Sequence, residues 1–246
     1  MSRGAAELCA PWRGVSPARG LRILLYHTLG TRVDADTYGM NVSPERFRAH
    51  MLALARCASV RVVPLEPGRL GSDDGLQVAL TFDDGYRDTL TTAAPLLAEL
   101  GMPFTVFVVP DYVMSGHPAY LTAVQLRELA AMRGCQIGSH GLPHARLTEL
   151  DDGALMRELS ESRRWLEACV SRPVTALAYP HGSVNPRVMA AAARCGYTIG
   201  VCSRAGINRV ADHSLRLRRT ELLGRDTPRI FLQKLSGAWD WARWRR

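Results

Sequence analysis

Short apolar segments alternate with segments of helical pattern along nearly the whole chain. The segments that predict strands are short, apolar and often rich in β-branched residues, and they span 21–27, 59–65, 77–82, 104–110, 135–140, 174–180 and 197–202. Helical patterns between and after them predict helices over 43–57, 87–100, 122–133, 151–170, 186–195 and 227–241. Such repeated alternation indicates parallel strands with helices outside them, in either a doubly wound sheet or a barrel.

Polar residues occur where these predicted strands end. Asp83, Asp84 and His140 each follow or close a strand, and so do His27 and the segment 179–182. The carboxyl ends of barrel strands converge on one mouth, where active sites are built. The sequence therefore predicts an α/β fold in the form of an irregular or incomplete barrel.

The composition is that of an ordinary globular protein, with 246 residues of which 47% are hydrophobic and 22% charged. We expect an N-terminal extension over 1–20, one folded domain over 21–236 and a tail over 237–246. No apolar run approaches the roughly 18 residues that a membrane span needs. The first twenty residues carry no hydrophobic core segment, so we expect a cytoplasmic protein without a secretory signal. The six cysteines show no CxxC spacing and are expected to be small, mostly buried hydrophobic residues.

The net charge of +8 comes almost entirely from arginine, because Lys234 is the only lysine. One interpretation is a solvated arginine-rich surface without a partner. The other is an anionic partner, either a membrane surface or a diphosphate-lipid carrier of the substrate. The tail favours the second interpretation and a position peripheral to the inner face of the membrane, since it combines Trp239, Trp241 and Trp244 with Arg243, Arg245 and Arg246. No nucleic-acid-binding motif is present, so we expect no nucleic-acid partner.

Two patterns together indicate a metal site. His140 and His144 are four residues apart beside a strand end, a spacing that lets both bind one ion. Zinc sites with an open position typically have three protein ligands, so one of the adjacent acids Asp83 and Asp84 is the expected third ligand. The other acid is then left as a base, and Gly85 allows a tight turn next to the ion. Taken alone, the acid pair would more simply be explained as a helix cap, and the two histidines as surface or core residues without a function. Because both patterns occur together at strand ends, we favour a metal site.

Three motifs resemble a known family. TFDDG at 81–85, SHGLPH at 139–144 and AYPHG at 178–182 are similar to the first three motifs of the polysaccharide deacetylases, the NodB-like carbohydrate esterase family four. The resemblance covers roughly residues 21–235, and ILLYHTLG at 23–30 resembles the branch that contains the poly-N-acetylglucosamine deacetylases. It implies the NodB-homology fold, an irregular (β/α)7 barrel.

The resemblance also implies residue roles. Asp83 matches the general base, and Asp84, His140 and His144 match the metal ligands, usually of zinc and sometimes of cobalt, nickel or manganese. His27 matches the acid that protonates the leaving amine in this branch, and we expect it to stay protonated at neutral pH beside a carboxylate.

The third motif implies the groups that bind the substrate carbonyl. Its segment Tyr179, Pro180 and His181 matches the oxyanion and substrate-binding turn, with the backbone N–H of His181 as the donor. An arginine that orients the base usually begins this motif, but Ala178 stands there, and Arg219 resembles the branch's substitute, with Arg218 as the alternative.

The second motif departs from the family at one position. Gly141 replaces the usual serine or threonine, whose hydroxyl often steadies the metal loop.

The implied activity is removal of the N-acetyl group from an N-acetylated amino sugar in a polysaccharide, oligosaccharide or lipid-linked glycan, with release of acetate. Two alternatives stay open. One is a metal-dependent hydrolase of a non-sugar C–N amide, and the other is a catalytically inactive carbohydrate-binding barrel.

Overall fold

The computed structural model describes residues 19–32, 36, 38–67 and 75–240. Within these residues one parallel sheet contains the strands β1 (Gly20–Tyr26), β2 (Val60–Val62), β3 (Leu76–Phe82), β4 (Phe104–Val108), β5 (Cys135–Ser139), β6 (Ala176–Ala178), β7 (Ile199–Val201) and β8 (Arg219–Glu221). The helices are α1 (Pro44–Ala55), α2 (Ala94–Glu99), α3 (Pro110–Met114), α4 (Ala123–Ala131), α5 (Asp152–Val170), α6 (Pro186–Arg194) and α7 (Pro228–Ser236).

The sheet curls into a nearly closed barrel. Seven strands follow the order β7-β6-β5-β4-β3-β1-β8, and β2 pairs with the first half of β3 outside this path. The two ends of the order approach each other, because Val201 of β7 forms a parallel bridge with Leu217, two residues before β8. The predicted irregular (β/α)7 barrel is therefore confirmed, and the doubly wound sheet is excluded.

Alternation along the strands separates the barrel interior from the helical layer. In β3, Ala79 belongs to a buried cluster inside the barrel, whereas Leu80 and Phe82 belong to a larger cluster between strands and helices. Phe107 of β4 fills the interior, and a Cβ on Gly138 of the neighbouring strand would lie only 2.5 Å from its ring. A glycine in β5 is thus required by close packing across the barrel.

The predicted helix starts are confirmed by their caps. Ser43, Thr122, Asp151 and Thr227 each accept a hydrogen bond from a backbone N–H three residues on. At α4 the predicted capping box is complete, since the side chain of Gln125 also accepts from the Thr122 N–H.

Four elements differ from the prediction. The last helix ends at Ser236 rather than near 241, because Gly237 adopts a left-handed φ of 86° and closes it. The helix predicted over 87–100 begins with a π-helical turn, Thr89–Ala93, before α2. The short elements α3 and β8 were not predicted, since five and three residues show too little periodicity.

A buried ion pair attaches α7 to the barrel. The Nζ atom of Lys234 donates to Oδ2 of Asp226 at 2.5 Å and to the carbonyl of Glu221 in β8 at 2.8 Å. Lys234 is only 4% exposed. None of the described helices is long and apolar enough to cross a membrane. The extension over 1–18 and the end of the predicted tail, with Trp241, Trp244, Arg243, Arg245 and Arg246, lie outside the described residues.

Candidate functional site

The two adjacent aspartates lie in a sharp turn after β3. The N–H of Asp83 still donates to the carbonyl of Tyr26 at 3.0 Å, as a continuation of the strand pairing. Asp84 and Gly85 then both adopt left-handed backbone, with φ of 70° and 76°. This conformation is costly for a residue with a side chain, and a Cβ on Gly85 would also lie 3.2 Å from Val108. Both carboxylates face Nε2 of His140, at 3.6 Å for Asp83 and 3.5 Å for Asp84.

The predicted ligands meet at one point. His140 follows β5 and donates from Nδ1 to the carbonyl of Ala178 at 2.8 Å, which leaves the Nε2 lone pair directed into the site. Nε2 of His144 lies 3.2 Å from Nε2 of His140. Oδ1 of Asp84 lies 3.5 Å from the first of these nitrogens and 3.6 Å from the second.

These three side chains fit a divalent cation. Their ligand atoms all lie within 4.8 Å of one another. Oδ1 of Asp84 is buried and has no hydrogen-bond partner among the described residues, although a buried carboxylate oxygen normally has one. Burial, followed by the neighbouring His140 and His181, lowers the pKa of His144 to about 3, so its imidazole is neutral. One carboxylate and two imidazoles form a donor set that zinc accepts.

Asp83 is a buried, charged carboxylate. Arg219 donates from both Nη atoms to the two Asp83 oxygens, each at 2.7 Å. The arginine is 1% exposed, and its Nε donates to the carbonyl of Cys202. Burial alone would raise the pKa of Asp83, but the opposing effects of Arg219 and His140 hold it well below its ordinary value. Asp83 is therefore ionised at neutral pH.

Of the two candidate arginines, the structure brings Arg219, the first residue of β8, to Asp83. Arg219 points into the barrel toward Asp83, whereas Arg218 points outward, where it binds Asp212 and the carbonyl of Ile207.

His27 faces the same cavity from the end of β1. It is 7% exposed, and its Nδ1 has no hydrogen-bond partner among the described residues. Oε1 of Glu221 lies 3.9 Å from this Nδ1. Glu221 lies in β8, opposite Leu25 of β1. Sequence reasoning missed this glutamate, because only the pairing of the first and last strands brings it near His27.

The segment 179–182 forms a 3₁₀ turn beside the histidines. His181 has a left-handed φ of 56°, and its ring centroid lies 4.4 Å from that of His144. The hydroxyl of Tyr179 donates to the carbonyl of Leu215 at 2.8 Å. Pro180 is buried behind the metal loop, next to Gly141, and is not among the residues that line the cavity.

Most of these groups line one cavity of about 180 Å³. It is lined by His27, Tyr38, Met40, Asp83, Asp84, His140, His144, Tyr179, His181 and Ser203. Larger grooves occur elsewhere, including one of about 460 Å³ near Cys135 and Arg172, but that groove contains no comparable set of acids and histidines. The arrangement in the smaller cavity can hold a metal ion, accept a proton at Asp83 and donate one at His27.

Comparison with known proteins gives the family. The sequence profile described as polysaccharide deacetylase matches residues 71–200, more than half of the chain. The Bacillus subtilis (strain 168) protein YxkH, provisionally named a polysaccharide deacetylase, is 30% identical over 194 residues. That match covers 77% of this chain and 66% of YxkH, so the chain spans just under two thirds of this relative's length.

Solved structures share the fold. The deacetylase PplD of Streptococcus pyogenes, in complex with acetate, superposes with a TM-score of 0.77 and 26% identity over 89% of this chain and 99% of PplD. IcaB from Ammonifex degensii superposes with a TM-score of 0.72 and 23% identity over 89% of this chain and 98% of IcaB, which shows the same fold. On the profile match, the motifs and the fold, the chain belongs to the polysaccharide deacetylase family.

Proposed function

We propose that the protein is a metal-dependent N-deacetylase, which hydrolyses the acetamide of an N-acetylated amino sugar in a polysaccharide, oligosaccharide or lipid-linked glycan. The observation that carries this proposal is the single cavity lined by Asp83, by His27 and by the three clustered ligands. Family membership supports carbohydrate deacetylation in general.

Asp84, His140 and His144 would hold the metal ion through the carboxylate Oδ1 and the two Nε2 atoms. The donor set supports zinc, with cobalt, nickel or manganese as alternatives. When bound, such an ion polarises a carbonyl and lowers the pKa of water from 15.7 towards about 7.

The chain's own residues supply the proton transfers. The Asp83 carboxylate takes a proton from the water whose oxygen attacks the acetyl carbon, and Arg219 keeps that carboxylate oriented and charged. The backbone N–H of His181 is the proposed donor to the carbonyl oxygen as negative charge develops on it. His27 then gives a proton to the nitrogen as the C–N bond breaks, and Oε1 of Glu221 lies 3.9 Å from its Nδ1. The products are acetate and a free amino sugar.

The identity of the glycan is a further proposal. The arginine-rich composition supports a glycan on an anionic diphosphate-lipid carrier, and also a position peripheral to the inner face of the membrane. Cytoplasmic location stays a prediction, as does the role of the tryptophans at 241 and 244.

Acetate release tests the proposal directly. The purified protein, loaded with zinc or stripped with a chelator, is given free N-acetylglucosamine oligomers and lipid-linked N-acetylated sugars side by side. We expect acetate only from the zinc-loaded protein. Asp83→Asn should lower the rate by about 10²- to 10⁴-fold, the usual contribution of a general base, while zinc content stays unchanged.

The same acetate-release assay distinguishes the proposed function from the two alternatives. Zinc bound without acetate release from any acylated sugar would contradict the proposal and favour hydrolysis of a non-sugar amide or a binding-only barrel. The buried Asp83–Arg219 pair supports catalysis over binding alone, since a binding site has no use for an oriented base.

A further inference from the structure

The loop that carries both histidine ligands has a conformation that its own sequence does not favour. Gly141 has a φ of 77° and His144 a φ of 67°, so two of its residues adopt left-handed backbone within four positions. For His144 this conformation is unfavourable, and it persists only where surrounding contacts impose it. The contacts that impose it therefore decide whether the Nε2 atoms of His140 and His144 meet.

A buried carboxylate from α5 provides such contacts. Oε1 of Glu158 accepts a hydrogen bond from the N–H of Leu142 at 2.7 Å, and the N–H of Ala145 faces the same carboxylate. These two N–H groups flank His144 on either side. Glu158 is only 7% exposed, on the face of α5 that also buries Leu155 and Leu159.

The same carboxylate explains the glycine at 141. A Cβ at this position would lie 2.7 Å from Oε1 of Glu158 and 3.2 Å from Cγ of Pro180. The first of these distances is shorter than real Cβ contacts, so a side chain at 141 would displace the Glu158 carboxylate from its present position. The hydroxyl that usually steadies this loop has no room here.

One helical turn further along α5 there is a second attachment. Oγ of Ser162 lies 3.0 Å from Oγ of Ser139, which in turn accepts from the N–H of Gly141 at 3.3 Å. Residues four apart on a helix share a face. One face of α5 therefore contacts the loop twice, through Ser162 near its start and through Glu158 further along. Of these two side chains, only Glu158 is charged.

We propose that Glu158 is a positioning residue of the metal site, which holds the 140–145 loop so that both imidazoles converge on Asp84. It acts through the backbone and does not line the cavity. This inference rests on the proposed metal site, but not on the identity of the substrate.

Zinc affinity of the metal-free protein, measured by competition with a chelator, tests the role without any catalytic assay. Glu158→Gln keeps the shape but exchanges one acceptor oxygen for an NH₂ group, so one loop N–H loses its acceptor. We expect zinc to bind about 10- to 100-fold more weakly, as is typical when a group supporting a metal ligand is changed. The absorption spectrum of the cobalt-loaded variant should change as well, because the ligand geometry changes.

Glu161→Gln on the same helix is the matched control, since the Glu161 carboxylate pairs with the exposed Arg164 at 3.9 Å and forms no hydrogen bond to the loop among the described residues. It should bind zinc like the wild type. Unchanged zinc affinity and cobalt spectrum in Glu158→Gln would overturn the inference. If the glutamine variant does not fold, Glu158→Asp replaces it, since the shorter side chain withdraws the carboxylate from the loop and should weaken zinc binding likewise.

A double-mutant cycle tests whether position 141 and the Glu158 side chain compete for the same space. Gly141→Ala should weaken zinc binding strongly in the wild type and less in a Glu158→Ala background, where the new methyl group has room. Losses that simply multiply would contradict the inference. A wild type that binds no zinc would instead overturn the metal site itself, so failure of the inference and failure of the proposed function are distinguishable.

Discussion

At the scale of single residues, the central interaction is the buried pair of Asp83 and Arg219, in which both partners are nearly inaccessible to water. Removing one partner of a buried pair leaves the other charge without compensation. Since the folded-state pKa of Asp83 is depressed, the pair contributes stability above the unfolded pKa of about 3.9, and that contribution is lost as pH falls through the folded value.

Replacing the arginine should reverse the pKa shift of Asp83. In Arg219→Met, burial acts with less opposition and raises the pKa of this carboxyl, so the acid limb of the pH–rate profile should move to higher pH. The free energy of unfolding at pH 7 should fall by about 3–5 kcal/mol, as for other broken buried pairs. Urea unfolding and the pH dependence of acetate release measure the two effects.

The neighbouring arginine provides the control. Arg218→Met removes a part-exposed pair with Asp212 and a hydrogen bond to the carbonyl of Ile207, and should cost about 1 kcal/mol, with the acid limb unchanged. Equal effects of the two substitutions would contradict the assignment of Arg219 to the base.

The role of His27 can be separated from that of the metal ligands by the choice of leaving group. His27→Asn should lower amide hydrolysis by about 10²- to 10⁴-fold, because the departing nitrogen needs a proton. Hydrolysis of an aryl acetate should fall far less, since a phenolate leaves without protonation. Rates on the two substrates, measured with the same zinc-loaded preparation, give the comparison.

His213→Asn serves as the control for this variant, because His213 is exposed and caps a short turn that asparagine also caps. An equal loss on both substrates in His27→Asn would show that His27 is not the acid.

At the scale of elements, helix starts were the features that the sequence specified best. Thr122 and Gln125 form both hydrogen bonds of a capping box at α4, a device encoded by residues three apart. Thr122→Ala should therefore lower the free energy of unfolding by about 1 kcal/mol and leave deacetylation unchanged, since no residue of α4 lines the cavity.

Urea unfolding measures this loss, and Thr91→Ala is the matched control. Thr91 is exposed, and its hydroxyl contacts only the carbonyl of Arg87 at 3.5 Å, so its replacement should change stability by less than about 0.5 kcal/mol. The prediction fails if both threonines contribute equally.

Elements that depend on distant pairing could not be predicted. The strand β8 contains only three residues, too few to show a strand pattern in the sequence. These residues form a strand because they pair with β1, almost 200 positions earlier. For the same reason the sequence could not distinguish Arg219 from Arg218, nor place Glu221 near His27. In contrast, the acid pair and His140 follow directly on predicted strands, and His144 lies four residues after His140, so the cluster was predictable. The choice of Asp84 over Asp83 as a ligand came from the family resemblance. The contacts of Glu158 and Ser162 with the 140–145 loop could not be predicted, because no pattern in the local sequence indicates them.

At the scale of the whole molecule, the candidate metal site connects strands from separate parts of the barrel. Asp84 follows β3 and the two histidines follow β5, with β4 between them in the sheet. A ligand that binds only the folded state stabilises it by mass action. Metal binding should therefore stabilise the entire barrel against unfolding, rather than one loop.

Thermal unfolding measures this stabilisation. Zinc at 100 times its dissociation constant should add about 2.7 kcal/mol to the free energy of unfolding of the metal-free protein. Magnesium at the same concentration should add little, because it prefers oxygen ligands. His140→Ala should abolish the zinc effect, and an undiminished zinc effect in that variant would contradict the site.

The buried position of Lys234 has a practical consequence for covalent labelling. It is the only lysine among the 246 residues, and its ammonium group is enclosed between α7 and β8. Reagents that acylate side-chain amines thus have no accessible lysine target in the folded chain, and amine-coupled immobilisation through side chains would capture molecules in which α7 has opened.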